Sequence, residues 1–102
     1  LNPQGLASGL TPKTRAVILN SPSNPTGVTY SLQELQALGK VLCGAPSKPW
    51  ILSDEIYDEL TYGEEGFVSF LRACPELADR TITLGGLSKS AALTGWRVGW
   101  SV

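Results

Sequence analysis

The chain has 102 residues, 42% of them hydrophobic, with 8 Lys+Arg against 9 Asp+Glu and a net charge of −1. That length allows one domain, and near-neutrality gives no electrostatic case for nucleic acid or an anionic membrane as a partner. There is no histidine, which excludes Ser-His-Asp and Cys-His nucleophilic schemes and most zinc sites.

Chemistry, if present, therefore falls to lysine, tyrosine, carboxylates or a cofactor. No apolar run reaches the roughly 18 residues of a membrane span, and no signal peptide is visible. Starting at Leu1 rather than methionine, the chain is expected to be a piece of a longer one. Cys43 and Cys74 show neither C-x-x-C nor metal-type spacing; they read as reduced thiols in a cytoplasmic protein or as core residues.

The opening LNPQGLASGLTPK reads as a loop. Arg15 to Asn20 (RAVILN) is a short apolar, β-branched run bounded by turn residues, which suits a strand covered on both faces. SPSNPTG follows, too dense in Pro, Ser, Asn and Gly for regular structure. A helix is expected from Ser31, with Ser31 and Glu34 forming a capping box and Leu32, Leu35, Leu38, Val41 and Leu42 on one face. Cys43-Gly44 ends it.

Trp50 to Ser53 (WILS) is a second buried strand leading into DEIYDEL. Residues 68 to 79 predict irregular helical turns broken by Pro75. Arg80 to Leu84 gives a third strand and Arg97 to Val102 a fourth. Alternation of strand and helix, with a crossover of about 30 residues between the first two strands, is the βαβ rhythm of an α/β layer fold. A sheet this short has raw edges and incompletely covered faces.

In open α/β sheets ligands bind beyond the carboxyl ends of the strands. Those ends carry Asn24, then Asp54 and Tyr57, then Ser88 and Lys89. The last stretch, GGLSKSAALTGWRVGW, sets Lys89 and Arg97 among small apolar residues with no carboxylate nearby. A lysine so placed is expected to lose solvation, which favours a neutral amine able to attack a carbonyl; the alternative is a surface lysine on a turn. Asp54 reads equally as an anion holding a proton on a heteroaromatic nitrogen or as a cap for the following turn. Tyr57, three residues on, is placed to share its side. Asn24 precedes a proline in a bend, where a cis bond is plausible. Arg97 offers a fork of donors suited to a phosphate, and Ser88 adds a hydroxyl.

NSPSNPTG, SDEIYDEL and GGLSKSAALTGWRVG, in this order and spacing, resemble the fold-type I, pyridoxal-phosphate-dependent class I/II aminotransferases, closest to their aspartate, aromatic and prephenate group. NPTG alone is weak; SK followed by TGWRVG is strong. The likeness runs from Arg15 to Val102 and implies part of the large domain, a three-layer α/β/α arrangement with three parallel strands and one antiparallel strand. It implies that Lys89 forms the internal aldimine with pyridoxal 5'-phosphate and later serves as the proton-transfer base. Asp54 would pair with the pyridine nitrogen, Tyr57 and Asn24 would hydrogen-bond the phenolic oxygen, and Arg97 with Ser88 would bind the phosphate. The substrates implied are an amino acid, of aspartate or aromatic type, and a 2-oxo acid. The full-length protein is implied to be a cytoplasmic homodimer, with this piece alone inactive.

The pattern departs from that family at Ala91, where an aromatic residue is common, at Leu93, where methionine is frequent, and at Gly86, where some relatives place a phosphate-binding serine. The family's other Gly-rich phosphate loop, its ring-stacking aromatic and its carboxylate-binding arginine have no counterpart. Two further readings share the motifs: another pyridoxal-phosphate enzyme of the C–S lyase or decarboxylase type, and a cofactor-binding sensor domain of a transcription regulator. Sensor domains more often show PG-L-R after the lysine, so TGWRVG favours the enzymes.

Overall fold

The computed structural model describes residues 1–62 and 66–102. Its centre is a four-stranded sheet in the order β1 (Ala16–Asn20), β2 (Trp50–Asp54), β3 (Thr81–Gly86), β4 (Gly99–Ser101). The first three strands are parallel and β4 runs antiparallel beside β3, the topology that the resemblance implies. Asn20 pairs with Asp54 and Asp54 with Leu84, so the parallel strands end level with one another.

Helix α2 (Leu32–Cys43) makes the crossover from β1 to β2. Its capping box is present: Ser31 N donates to Glu34 Oε2 at 2.8 Å and Glu34 N donates to Ser31 Oγ at 3.3 Å. Those two bonds satisfy backbone donors that the helix itself cannot. Leu35, Leu38 and Leu42 follow the helical repeat into the core, each worth about 2 kcal/mol of apolar burial. Leu32, expected on the same face, is exposed at the first position of the helix.

The opening segment departs from expectation. Residues Pro3–Gly9 form helix α1, where two glycines had suggested a loop. Asn2 Oδ1 accepts from Gly5 N at 2.7 Å and Pro3 opens the first turn. This is a side-chain cap with proline at its favoured position. Leu6 anchors the helix in the core. Pro75 behaves as expected: it separates α3 (Phe70–Ala73) from a 3-10 turn, Pro75–Arg80. Arg80 belongs to that turn, and its Nη2 donates to Leu42 O at 2.9 Å, capping the carboxyl end of α2.

The core lies on one face of the sheet. Leu6, Leu19, Leu35, Leu38, Leu42, Ile51, Phe70 and Leu77 pack together there. Strand residues alternate between faces, and the opposite face leaves Ile18 70% and Trp50 52% exposed. The described residues thus supply the sheet and one helical layer. Cys43 is exposed and Cys74 buried, both as free thiols; burial pushes the Cys74 thiol up to about 11.

Gly39 is buried inside α2 because Cys74 lies against it: a Cβ at Gly39 would collide with the Cys74 sulfur. Gly39→Ala should therefore destabilise the protein by about 1–3 kcal/mol despite alanine's better helix propensity. Cys74→Ala should relieve most of that loss in the double variant, as measured by chemical denaturation.

Candidate functional site

Each parallel strand delivers polar groups at its carboxyl end. Beyond β1 the chain bends through two cis X-Pro bonds, Ser21–Pro22 and Asn24–Pro25. The bend is tied to β1, since Asn20 Oδ1 accepts from Asn24 N at 3.0 Å. Asn20 Nδ2 donates to Asp54 O at 3.4 Å and Ser21 N to the same oxygen at 3.1 Å. The first loop is therefore fastened to the end of the second strand.

Asp54 closes β2 with its side chain half-buried, and Oδ1 accepts from Ile56 N at 3.3 Å. It does cap the following turn, as the sequence allowed, and this occupies one of its two oxygens. Tyr57 is reached by that turn and not by a helix. Asn24 Nδ2 donates to Tyr57 Oη at 3.1 Å, joining residues 33 positions apart. The phenol accepts in this bond, so its own proton remains available to a ligand.

Lys89 lies in a single helical turn, α4 (Leu87–Ser90), immediately after β3. Its Nζ stands over the Tyr57 ring, 5.4 Å from the centroid, within the range of a cation–π contact. Ser88, half-buried, precedes it. Because β4 returns antiparallel, Gly99 pairs with Gly86, and Leu87 N donates to Val98 O at 3.2 Å. That brings Arg97 to the same end of the sheet. Gly85 permits the pairing, since a Cβ there would fall 2.6 Å from the Trp100 ring. Arg97 itself adopts φ 53, a left-handed conformation costing about 1 kcal/mol, and Nη1 donates to Thr94 O at 3.1 Å.

Asn24, Tyr57 and Lys89 thus form a contact chain, with Asp54, Ser88 and Arg97 on adjoining segments of the same edge. One expectation fails. Lys89 and Arg97 are exposed, as is every residue from 89 to 102. Ala91, Ala92 and Gly95 carry too little side chain to cover an amine, so these neighbours do not shed its water.

The donor set suits a phosphorylated aromatic aldehyde. It offers a primary amine, a guanidinium and hydroxyls for an anion, a carboxylate for a ring nitrogen, and an amide and phenol for an oxygen. No carboxylate occurs from residue 80 onward, and among the described residues neither cation has an acidic partner.

Two residues outside the expected set shape this edge. Asn20 bridges Asn24 and Asp54. Glu55, 7% exposed, gathers three hydrogen bonds on one oxygen. The polar residue ending RAVILN and the second acid of SDEIYDEL were the available signals. A hollow of about 440 Å³ lies elsewhere, lined by Thr29, Tyr30, Glu34, Leu60 and Val68 among others. It includes none of the six site residues. Its acid, Glu34, is held below the ordinary carboxylate range by the backbone and hydroxyl of Ser31, so it is already engaged.

The chain is 48% identical over 100 residues to the aspartate/prephenate aminotransferase of Nitrosomonas europaea, covering 98% of this chain and 25% of that protein. It is 50% identical over 101 residues to the aspartate aminotransferase of Geobacillus stearothermophilus, covering 99% of this chain and 25% of that one. The crystal structure of the aspartate aminotransferase from Rhizobium meliloti superposes with a TM-score of 0.94 at 42% identity, over 99% of this chain and 25% of that one. The chain thus spans about a quarter of the length of these relatives. The profile of the family "Aminotransferase class I and II" matches residues 1–102, and the chain belongs to that family.

Proposed function

We infer that this chain is the cofactor-holding part, within the large domain, of an enzyme that uses pyridoxal 5'-phosphate to pass an amino group from an amino acid to a 2-oxo acid. The observation that carries the reading is the chain of contacts from Asn24 through Tyr57 to Lys89, assembled from the ends of three separate strands. When bound, the cofactor's protonated pyridine ring draws electron density from the substrate's α-carbon and makes its proton removable.

The side chains divide the work. Lys89 Nζ would hold the cofactor at its aldehyde carbon and would be the group that moves the proton at the substrate's α-carbon. The free oxygen of Asp54 holds a proton at the pyridine nitrogen. Tyr57 and Asn24 orient the ring through its phenolic oxygen. Arg97 and Ser88 bind the phosphate, the guanidinium with paired donors and the hydroxyl with one.

The names of the relatives support aspartate or prephenate as the substrate class. Membership of this family supports a cytoplasmic homodimer as the working form. No described helix is long and apolar enough to cross a membrane.

The direct test is to mix full-length protein with pyridoxal 5'-phosphate, reduce with borohydride, and map the covalent label by peptide mass spectrometry. Label confined to Lys89 is the expected result. Absence of label, or label scattered over all lysines, refutes the reading.

A further inference from the structure

Glu55 stands directly between two residues of the site yet takes no part in the chemistry assigned above. Its side chain is buried with the core layer, at 7% exposure. Oε1 accepts from Ser53 Oγ at 2.8 Å, Ser69 Oγ at 3.1 Å and Phe70 N at 2.9 Å. Glu55 N donates to Leu84 O at 2.9 Å, so its backbone remains fastened to β3.

Burying a carboxyl group is costly unless its acceptors are used. Here one oxygen joins the end of β2 to the first turn of α3, across the 15 residues from Glu55 to Phe70. Ser69, at the cap position of α3, makes no capping bond of its own. Glu55 therefore does that work from the far end of the loop, satisfying the Phe70 amide. The loop so closed begins with the turn that carries Tyr57, whose first bond is Ile56 N to Asp54 Oδ1.

By strand alternation Ser53 and Glu55 face the helical layer while Asp54 faces the other way. Fixing Glu55 on one side therefore fixes the orientation of Asp54 on the other. We propose that Glu55 is a positioning residue. Its buried carboxylate clasps the end of β2 to the first turn of α3 and so holds Asp54 and Tyr57 at the edge of the sheet where the cofactor would bind. The proposal rests on the pyridoxal-phosphate reading of that edge.

The test uses full-length enzyme as wild type, Glu55→Gln and Ser69→Ala. Borohydride labelling of wild-type Lys89 first checks the underlying reading; no label there overturns that reading and this one with it. Two quantities then decide: the dissociation constant of the cofactor, and the pH midpoint at which the bound cofactor's absorption changes. Glu55→Gln should weaken cofactor binding about tenfold and raise the midpoint by roughly half a unit, because Asp54 and Tyr57 are less firmly placed. Ser69→Ala, away from the cofactor, should shift both in the same direction by less.

A purely structural role would lower the melting temperature while leaving affinity and midpoint at wild-type values, and that result overturns the proposal. If Glu55→Gln does not fold, Ser69→Ala alone decides by the same two measurements.

Discussion

Full-length protein carrying Lys89→Ala should lose transamination by at least about a thousandfold, since on the proposed reading one substitution removes both the covalent tether and the proton-transfer base. Cofactor binding should weaken without vanishing, because Arg97, Ser88 and Asp54 still engage the phosphate and the ring. The assay is the rate of 2-oxo acid formation at saturating cofactor, with Lys40→Ala as the control. Lys40 is exposed on α2, away from the strand ends, and should leave the rate unchanged. A Lys89→Ala enzyme within tenfold of wild type would show that another group carries the proton.

Asp54→Asn is the second large effect and the more discriminating one. Asp54 caps a turn and, on the proposed reading, also serves the cofactor; the two jobs fall on different properties of the side chain. Capping the Ile56 amide needs only an acceptor oxygen, which asparagine keeps. Holding a proton on a ring nitrogen needs negative charge, which asparagine lacks. The variant should therefore fold with stability within about 1 kcal/mol of wild type, while its turnover falls by roughly 10²–10³-fold. Equal loss of stability and turnover would mean that the cap was its whole function. Thermal melting and steady-state kinetics on one preparation separate the two cases.

The parts of the fold written in local chemistry were legible. RAVILN, WILS and RTITL became β1, β2 and β3 with shifts of one or two residues, and the S-x-x-E spacing produced the capping box on α2. The strand order was implied by the family resemblance, and the sheet has it. The placement of Asn24, Asp54, Tyr57, Ser88 and Lys89 came from one rule about strand ends, and the geometry assembles them on one edge.

What escaped the sequence depends on contacts across the fold. Helix α1 was hidden by Gly5 and Gly9, although Asn2-Pro3 was a fair starting signal. The ties made by Asn20 and Glu55 join residues 34 and 15 positions apart, so neither could be read before the strands were paired. The openness of Lys89 was misjudged for a related reason. Apolar neighbours in sequence predict dryness only when some other layer covers them, and residues 89 to 102 are all exposed.

The return of β4 along β3 has a consequence for which changes this protein tolerates. The bond from Leu87 to Val98 closes the base of the loop between Lys89 and Arg97, so the loop's length works as a gauge between amine and guanidinium. One residue inserted there would move Arg97 relative to Lys89 or break the pairing of Gly86 with Gly99. Substitution is cheap at exposed Ala91 in a way that insertion is not: between Lys89 and Arg97 the residue count is what the pairing of β4 with β3 constrains.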